Sequence, residues 1–289
     1  VLNNADAVFT VDLEGGADTL TVDDLLSTVD ADATLSIDGG GGSDALLVSG
    51  ADAFEVADIA DGEITSIETV HATPGANNTI DTTVVGGLEE VQLVGSGNNS
   101  VTIEDGVDVR SLAAAATELQ LTVDGADANN TTAQQNIFVG IAEEDAAGNA
   151  ATGAPLNIGG ITISDAFVEA LTITAESDGD DRSHEVGNIT NANNVLTGMT
   201  LAASSAALTI GTVATADGAA GDTDVVDLAL SGDNDVATGE ITLGANTNRL
   251  DVANSGSGAR AIDLADIADL SAAAGTGQAA GEGIVVTGG

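Results

Sequence analysis

Short segments in which apolar and polar residues alternate recur along the whole chain. The clearest are Ile67–Val70, Leu88–Leu93, Ala116–Leu121, Val168–Ile173, Thr197–Leu201 and Gly239–Leu243. Alternation with a period of two, bounded by Gly, Asn, Asp or Thr, predicts short half-buried β-strands. The segments follow one another at intervals that are typical of a coil in which each turn contributes one strand to a shared core. Because hairpin signals are scarce, the strands are expected to pair in parallel.

The pattern predicts an all-β fold, a parallel β-solenoid (β-helix) whose turns are rich in Gly, Asp and Asn. An antiparallel β-sandwich with long loops also has short strands and punctuated turns, and it stays open as an alternative. A few short helical insertions are expected: Thr21–Leu26, which has capping-box spacing, Ser111–Glu118 and Asp263–Leu270.

The chain is expected to form one elongated solenoid unit over residues 1–289. Glycine and aspartate motifs define residues 1–105 as its first part, and residues 106–270 read as further, less regular coils. Residues 271–289 combine a small-residue linker with a final apolar strand at Ile284, Val285, Val286 and Thr287. A lone apolar strand must pair with a sheet. It is expected either to return to its own sheet or, as a self-assembly strand, to extend the sheet of a neighbouring copy.

The motif with the most specific chemistry runs from Asp38 to Leu47 and contains four consecutive glycines followed by Ser43 and Asp44. From Gly39 it fits G-G-x-G-x-D-x-U-x, a repeat of calcium-binding parallel β-helices. Glycines permit turns with positive φ that crowd backbone carbonyls together, and an Asp beside them completes an all-oxygen site. The predicted calcium ligands, including those of shorter G-x-D-x-U matches, are Asp6, Asp18, Asp38, Gly40, Gly42, Asp44 and Asp52.

Composition supports a need for cations. The 289 residues include four Arg, no Lys and 47 acidic residues, which give a net charge of −43, yet 43% of the residues are hydrophobic. Such a chain is not of the disordered class, and its self-repulsion opposes compaction unless cations reduce it. High external salt could screen the charge without specific sites, and this alternative is compatible with the first. Cysteine is absent, which leaves calcium as the predicted stabilising cofactor of an extracellular chain.

Several functions are unfavourable for this sequence. Four cations cannot offset the repulsion between 47 carboxylates and nucleic acid. No apolar stretch has the length that spans a bilayer, so no membrane insertion is expected. The two histidines, His71 and His184, lie in contexts that predict no catalytic group, and a carboxylate pair such as Asp233 and Asp235 lacks aromatic partners for sugar. The chain is therefore expected not to be an enzyme.

The glycine–aspartate motif and the Ile-Glu-Thr-Val block at Ile67–Val70 resemble RTX-type, calcium-dependent bacterial surface-layer proteins and type I-secreted adhesin and matrix proteins. The resemblance implies a right-handed parallel β-solenoid, calcium between successive turns, and self-assembly with copies of the same chain into a lattice, filament or coat outside the bacterial cell. The predicted function is that of a secreted structural protein. The alternative is an adhesin or biofilm-matrix module that binds surface polysaccharide or other cells.

Overall fold

The computed structural model describes most of the chain. The described residues are 8–23, 34–49, 63–73, 77–83, 85–94, 98–104, 106–112, 119–124, 133–142, 152, 155–163, 168–178, 182–191, 196–214, 224–242, 247–263 and 283–288.

The first and largest sheet has eleven strands. In spatial order they are β2 (Thr19–Asp23), β4 (Ala45–Ser49), β6 (Thr69–Thr73), β8 (Glu90–Leu93), β10 (Asp108–Ser111), β12 (Ala133–Val139), β14 (Val168–Ala175), β16 (Gly198–Ala203), β19 (Asp224–Gly232), β21 (Thr247–Asn254) and β23 (Gly283–Gly288).

The intervening strands form the other two sheets. A three-stranded sheet contains β1 (Val8–Asp12), β3 (Thr34–Asp38) and β5 (Glu63–Thr65). A larger sheet contains β7 (Asn77–Asp81), β9 (Asn98–Glu104), β11 (Leu119–Asp124), β13 (Asn157–Ile163), β15 (Ser183–Asn191), β17 (Ala207–Ile210), β18 (Val213–Ala214) and β20 (Val236–Thr242), and β22 (Arg260–Asp263) pairs with β20.

The chain therefore passes from one sheet to another and back, and it stacks each new coil on the previous one. Every strand pair among the described residues is parallel, from β1 with β3 to β21 with β23. Parallel pairing of strands that are separated by a full coil is the β-solenoid that the alternating segments predict, and it excludes the antiparallel sandwich.

One continuous core lies between the sheets. Residues in register on successive strands of the eleven-stranded sheet form an apolar ladder of buried side chains: Leu46, Val70, Val91, Val109, Ile137, Ile173, Leu201 and Leu230. Branched aliphatic side chains stack well at the spacing of neighbouring strands, which explains how the chain builds a core with so few aromatic residues. The sheet is continuous between the predicted first part of the chain (residues 1–105) and the second (residues 106–270), because β8 pairs with β10.

The helical prediction at Thr21–Leu26 was wrong where the structure describes it. Thr21, Val22 and Asp23 complete β2 and pair with β4, with Val22 facing the core. Burial of an alternating face against the next coil outweighs a local capping signal, because one capping pair contributes only about 1 kcal/mol. The described residues contain no helix. Of the other predicted helices, Ser111 ends β10 and is followed by Leu112 outside any strand, and Asp263 ends β22. Residues 113–118 and 264–270 lie outside the described residues.

The final strand is present as predicted and extends from Gly283 to Gly288. It pairs in parallel with β21, for example Leu250 with Ile284 and Val252 with Val286. The strand therefore returns to its own sheet, which is the first of the two predicted alternatives. Val286 is 68% exposed at this end of the sheet.

Candidate functional site

Five of the seven predicted calcium residues, Asp18, Asp38, Gly40, Gly42 and Asp44, occupy a corner of the solenoid where one coil stacks on the next. The segment Asp38–Asp44, called here the glycine turn, connects β3 to β4. The segment Asp12–Asp18 forms the same corner one coil earlier, since Asp12 pairs with Asp38 and Thr19 with Ala45. Thr65–Glu68 forms it one coil later, since Asp38 pairs with Thr65 and Ala45 with Thr69.

The two earlier turns each begin with an acidic side chain that caps the turn. Asp38 Oδ1 accepts a hydrogen bond from Gly40 N at 3.0 Å, and Asp12 Oδ1 accepts one from Glu14 N at 2.9 Å. The bond from the Gly40 amide, with smaller contributions from the hydroxyls of Ser66 and Thr65, lowers the pKa of the Asp38 carboxyl below its ordinary value. Asp38 thus closes the turn through its side chain.

Close stacking of the coils explains why this turn consists of glycine. A Cβ on Gly40 would lie 1.8 Å from the carbonyl oxygen of Glu14, and one on Gly42 would lie 1.5 Å from that of Gly16. Both glycines also have positive φ, 84° and 143°. Any side chain here would displace the neighbouring coil, whose carbonyl oxygens point at the glycines.

Asp44 is the residue around which the site is arranged. Its side chain is buried, with 1% of the residue exposed. Asp44 Oδ1 accepts a hydrogen bond from Asp18 N at 2.8 Å, and Asp44 N donates to Glu68 Oε2 at 2.7 Å. Asp44 Oδ2 is buried without a hydrogen-bond partner. A buried ionised carboxylate with a free oxygen is costly, so this atom calls for a cation or a proton.

The neighbourhood of Asp44 Oδ2 is rich in oxygen. The atom lies beside Gly39, over which the carbonyl oxygen of Ser66 also lies, and Glu68 brings a second carboxylate to the backbone of Asp44. Carboxylate and carbonyl oxygens from adjacent coils are ligands that suit calcium. No group of three or more His, Cys, Asp or Glu close enough to hold a metal ion occurs among the described residues. The donor set would therefore rest on the carboxylates of Asp44 and Glu68 together with backbone carbonyls.

The two stacked turns contain five of the residues predicted as calcium ligands, namely Asp18, Asp38, Gly40, Gly42 and Asp44. Asp6 and Asp52 lie outside the described residues. Sequence reasoning missed Glu68, because the Ile-Glu-Thr-Val block was interpreted only as a strand. The available signal was register: Glu68 precedes β6 as Asp44 precedes β4.

Two further buried polar groups hold a corner in the middle of the chain. His184 is fully buried, its Nδ1 accepts a hydrogen bond from Leu156 N at 2.9 Å, and its Nε2 lies 2.7 Å from Glu176 O. These partners require the neutral imidazole with its proton on Nε2. Burial lowers the pKa of His184, and the bond to Glu176 opposes this more weakly.

Arg110 joins its own coil to three others next to this histidine. Its guanidinium donates to Glu90 at 3.0 Å, to Glu176 Oε2 at 2.7 Å and to Gly140 O at 2.8 Å, and it stacks over the ring of Phe138. With 11% of its side chain exposed, Arg110 forms a largely desolvated ion-pair network. The network therefore links successive coils of the solenoid through one side chain.

In the described part of the chain, no helix is long and apolar enough to cross a membrane. Comparison with protein-family models, with curated proteins and with solved structures finds no match to this chain.

Proposed function

We propose that this chain is a non-enzymatic, secreted structural protein of a bacterial surface, a β-solenoid stabilised by calcium that assembles with copies of itself. The observation that carries the proposal is the buried Asp44 carboxylate, whose Oδ2 has no partner although Glu68 brings a second carboxylate against the same backbone. Together with a net charge of −43, this arrangement favours a bound divalent cation at the glycine turn.

Calcium would act on the folding equilibrium. Asp44 and Glu68 are 24 residues apart in the sequence, so their carboxylates come together only when the coils are folded. A cation that binds the folded state alone stabilises it by mass action, by roughly 1.5–2.5 kcal/mol when its concentration is about ten to fifty times Kd. Extracellular calcium modules have Kd values of about 0.1–1 mM, which matches a protein that works outside the cell.

Self-assembly is supported by the ends of the eleven-stranded sheet. β23 is the last strand in the sheet order and pairs with β21 on one side, and its Val286 is exposed. β2 is the first strand at the opposite end of the same sheet. Because all strands are parallel, β2 of a second copy can add to β23 and continue the sheet in the same direction. Such head-to-tail contacts are heterologous and produce filaments or sheets.

A calcium titration of thermal unfolding tests the first half of the proposal. Millimolar calcium is expected to raise Tm by several degrees over the same protein in EGTA, on the scale of about 2–4 °C per kcal/mol for a chain of this size. Asp44→Asn should abolish most of this rise. Asp178→Asn, which alters an exposed carboxylate at another corner, should leave it intact. Equal melting curves in calcium and EGTA for the unaltered chain would refute calcium stabilisation.

Electron microscopy of the purified chain tests the second half. Ordered filaments or sheets are expected in calcium, and Val286→Lys should leave folded monomers because it places a charge on the exposed end strand. The matched control is Thr73→Lys, because Thr73 is exposed but lies on β6, which is internal to the same sheet. A chain that stays monomeric in calcium until polysaccharide is added would refute self-assembly and favour the adhesin alternative.

A further inference from the structure

The corner between β21 and β22 shares a side-chain cap and two closely stacked glycines with the glycine turn near the other end of the chain. Asn254 Oδ1 accepts a hydrogen bond from Gly256 N at 3.2 Å, as Asp38 Oδ1 does from Gly40 N. Gly256 lies against the carbonyl oxygen of Gly232, and Gly258 lies against that of Asn234, so closely that a Cβ on either would overlap the oxygen. The same relation holds between Gly40 or Gly42 and the preceding coil.

The two turns also share their sequence spacing. In each turn the four matching residues lie two positions apart: an acidic or amide residue, two glycines and a charged residue. They are Asp38, Gly40, Gly42 and Asp44 in one turn, and Asn254, Gly256, Gly258 and Arg260 in the other. The residue that follows the charged position is alanine in both, at the start of or within the next strand. The turns differ in two respects. Gly40 and Gly42 have φ values of 84° and 143°, whereas neither Gly256 nor Gly258 has a positive φ. The last position is an anion at Asp44 and a cation at Arg260.

The guanidinium of Arg260 lies among oxygen atoms of two coils. It donates hydrogen bonds to Asn234 O at 2.7 Å, to Gly232 O at 2.8 Å and to Asn254 Oδ1 at 3.1 Å. Ala259 O at 3.2 Å and Ser231 O at 3.4 Å complete the set. No carboxylate is among these contacts. Such a cluster of carbonyl oxygens is the environment in which a hard cation would bind, and here it surrounds the positive charge of the guanidinium.

We propose that Arg260 is a built-in substitute for a bound metal ion, so that this corner is held by a cation belonging to the chain itself. The carbonyls that the glycines allow to converge are satisfied by the guanidinium, and its five donors suit several carbonyl acceptors at once. The Gly256–Arg260 corner therefore needs no calcium, although its glycines lie against carbonyl oxygens of the preceding coil as those of the proposed calcium turn do.

This difference divides the solenoid. All four arginines lie at position 110 or later, and Arg110 and Arg260 each join separate coils. The coils before Arg110 have no cation of their own and contain the Asp44 site. Calcium dependence is thus confined to the N-terminal coils, and removal of calcium opens them while the later coils stay folded. This half of the inference rests on the proposed calcium stabilisation, whereas the role of Arg260 does not.

Hydrogen–deuterium exchange of the full chain, with mass spectrometric detection, reads both corners in one sample. Ala45 N, bonded to Asp18 O, reports the glycine turn. Val236 N, bonded to Ala259 O, and Ser255 N, bonded to Leu230 O, report the Arg260 corner. Transfer from millimolar calcium to EGTA is expected to reduce protection at Ala45 by roughly tenfold or more and to leave Val236 and Ser255 unchanged.

The outcomes separate the two proposals. If all three amides lose protection in EGTA, the confinement of calcium dependence is overturned and calcium stabilisation stands. If none responds, calcium stabilisation fails, and the Arg260 clamp is judged by Arg260→Gln alone. That variant should lose roughly tenfold or more protection at Val236 and Ser255 in either buffer, because several carbonyls lose a charged donor. Unchanged protection there overturns the clamp.

A reversal of charge gives the sharpest test. Arg260→Asp restores an acidic residue at the last position of the motif, and it is expected to make protection at Val236 depend on calcium. If calcium protects Ala45 but not Val236 in this variant, the two corners are not equivalent and the inference is refuted. The control is Arg182→Gln. Arg182 forms an exposed ion pair with Asp178 at 3.7 Å, so its loss should change the protection of neither Ala45 nor Val236.

Discussion

Two neighbouring glycines that look identical in the sequence should respond in opposite ways to the same substitution. Gly42 has a φ of 143°, and a Cβ added to it would lie 1.5 Å from Gly16 O. Gly41 has no positive φ, and an added Cβ would meet nothing within 4 Å. Gly42→Ala should therefore destabilise the turn strongly, whereas Gly41→Ala should be neutral or slightly stabilising.

The size of the difference can be worked out from the contacts. Positive φ costs an alanine about 1–2 kcal/mol. Relief of the overlap with Gly16 separates the coils and weakens the bonds from Gly16 N to Gly41 O at 2.8 Å and from Gly41 N to Glu14 O at 3.0 Å. Each such bond contributes about 1 kcal/mol. Gly42→Ala should thus cost about 3–4 kcal/mol, and Gly41→Ala should gain up to about 1 kcal/mol by restricting the unfolded chain.

Local hydrogen exchange is the suitable assay, because coils of a solenoid can open without global unfolding. The amides of Gly16 and Ala45 should lose protection in Gly42→Ala and retain it in Gly41→Ala, in buffers of equal calcium concentration. Circular dichroism should show that the later coils of both variants stay folded. Equal loss of protection in the two variants would contradict the stacking of carbonyls against Gly42.

The other predictions concern the two buried polar groups in the middle of the chain. The pKa of His184 is lowered from 6.5, so the unfolded chain binds more protons than the folded chain below that pH. The stability of this corner should therefore decline as pH falls from about 7 to 5, and hydrogen exchange at the Leu156 amide measures it. His184→Gln, which can accept and donate at the same partners, should flatten this profile, and an unchanged profile would rule out the histidine as its source. Arg110→Gln should cost about 2–3 kcal/mol in denaturant unfolding because it leaves two partly buried carboxylates without their charged donor. Arg182→Gln, in an exposed pair, should cost less than about 0.5 kcal/mol, and equal costs would show that the Arg110 network contributes little.

Much of the fold followed from the order of residues. The alternating blocks predicted strands, and the scarcity of hairpin signals predicted parallel pairing; both predictions are confirmed. The helical turn at Thr21 failed because a local capping signal is weak beside the burial of Leu20 and Val22 against the next coil. Local pattern specifies which residues form strands, but it does not weigh one signal against a partner that is distant in sequence.

The candidate site shows the same division. The sequence by itself determined that Gly40, Gly42 and Asp44 belong to one turn, because glycine permits the backbone conformations of a tight turn wherever it occurs. Only the tertiary structure decided that Asp44 N donates to Glu68, that Gly42 and not Gly41 faces a carbonyl of the preceding coil, and that the guanidinium of Arg260 contacts the carbonyl oxygens of Gly232 and Asn234. These contacts depend on the register between coils, and register is set by the length of each intervening segment and by the packing of the core.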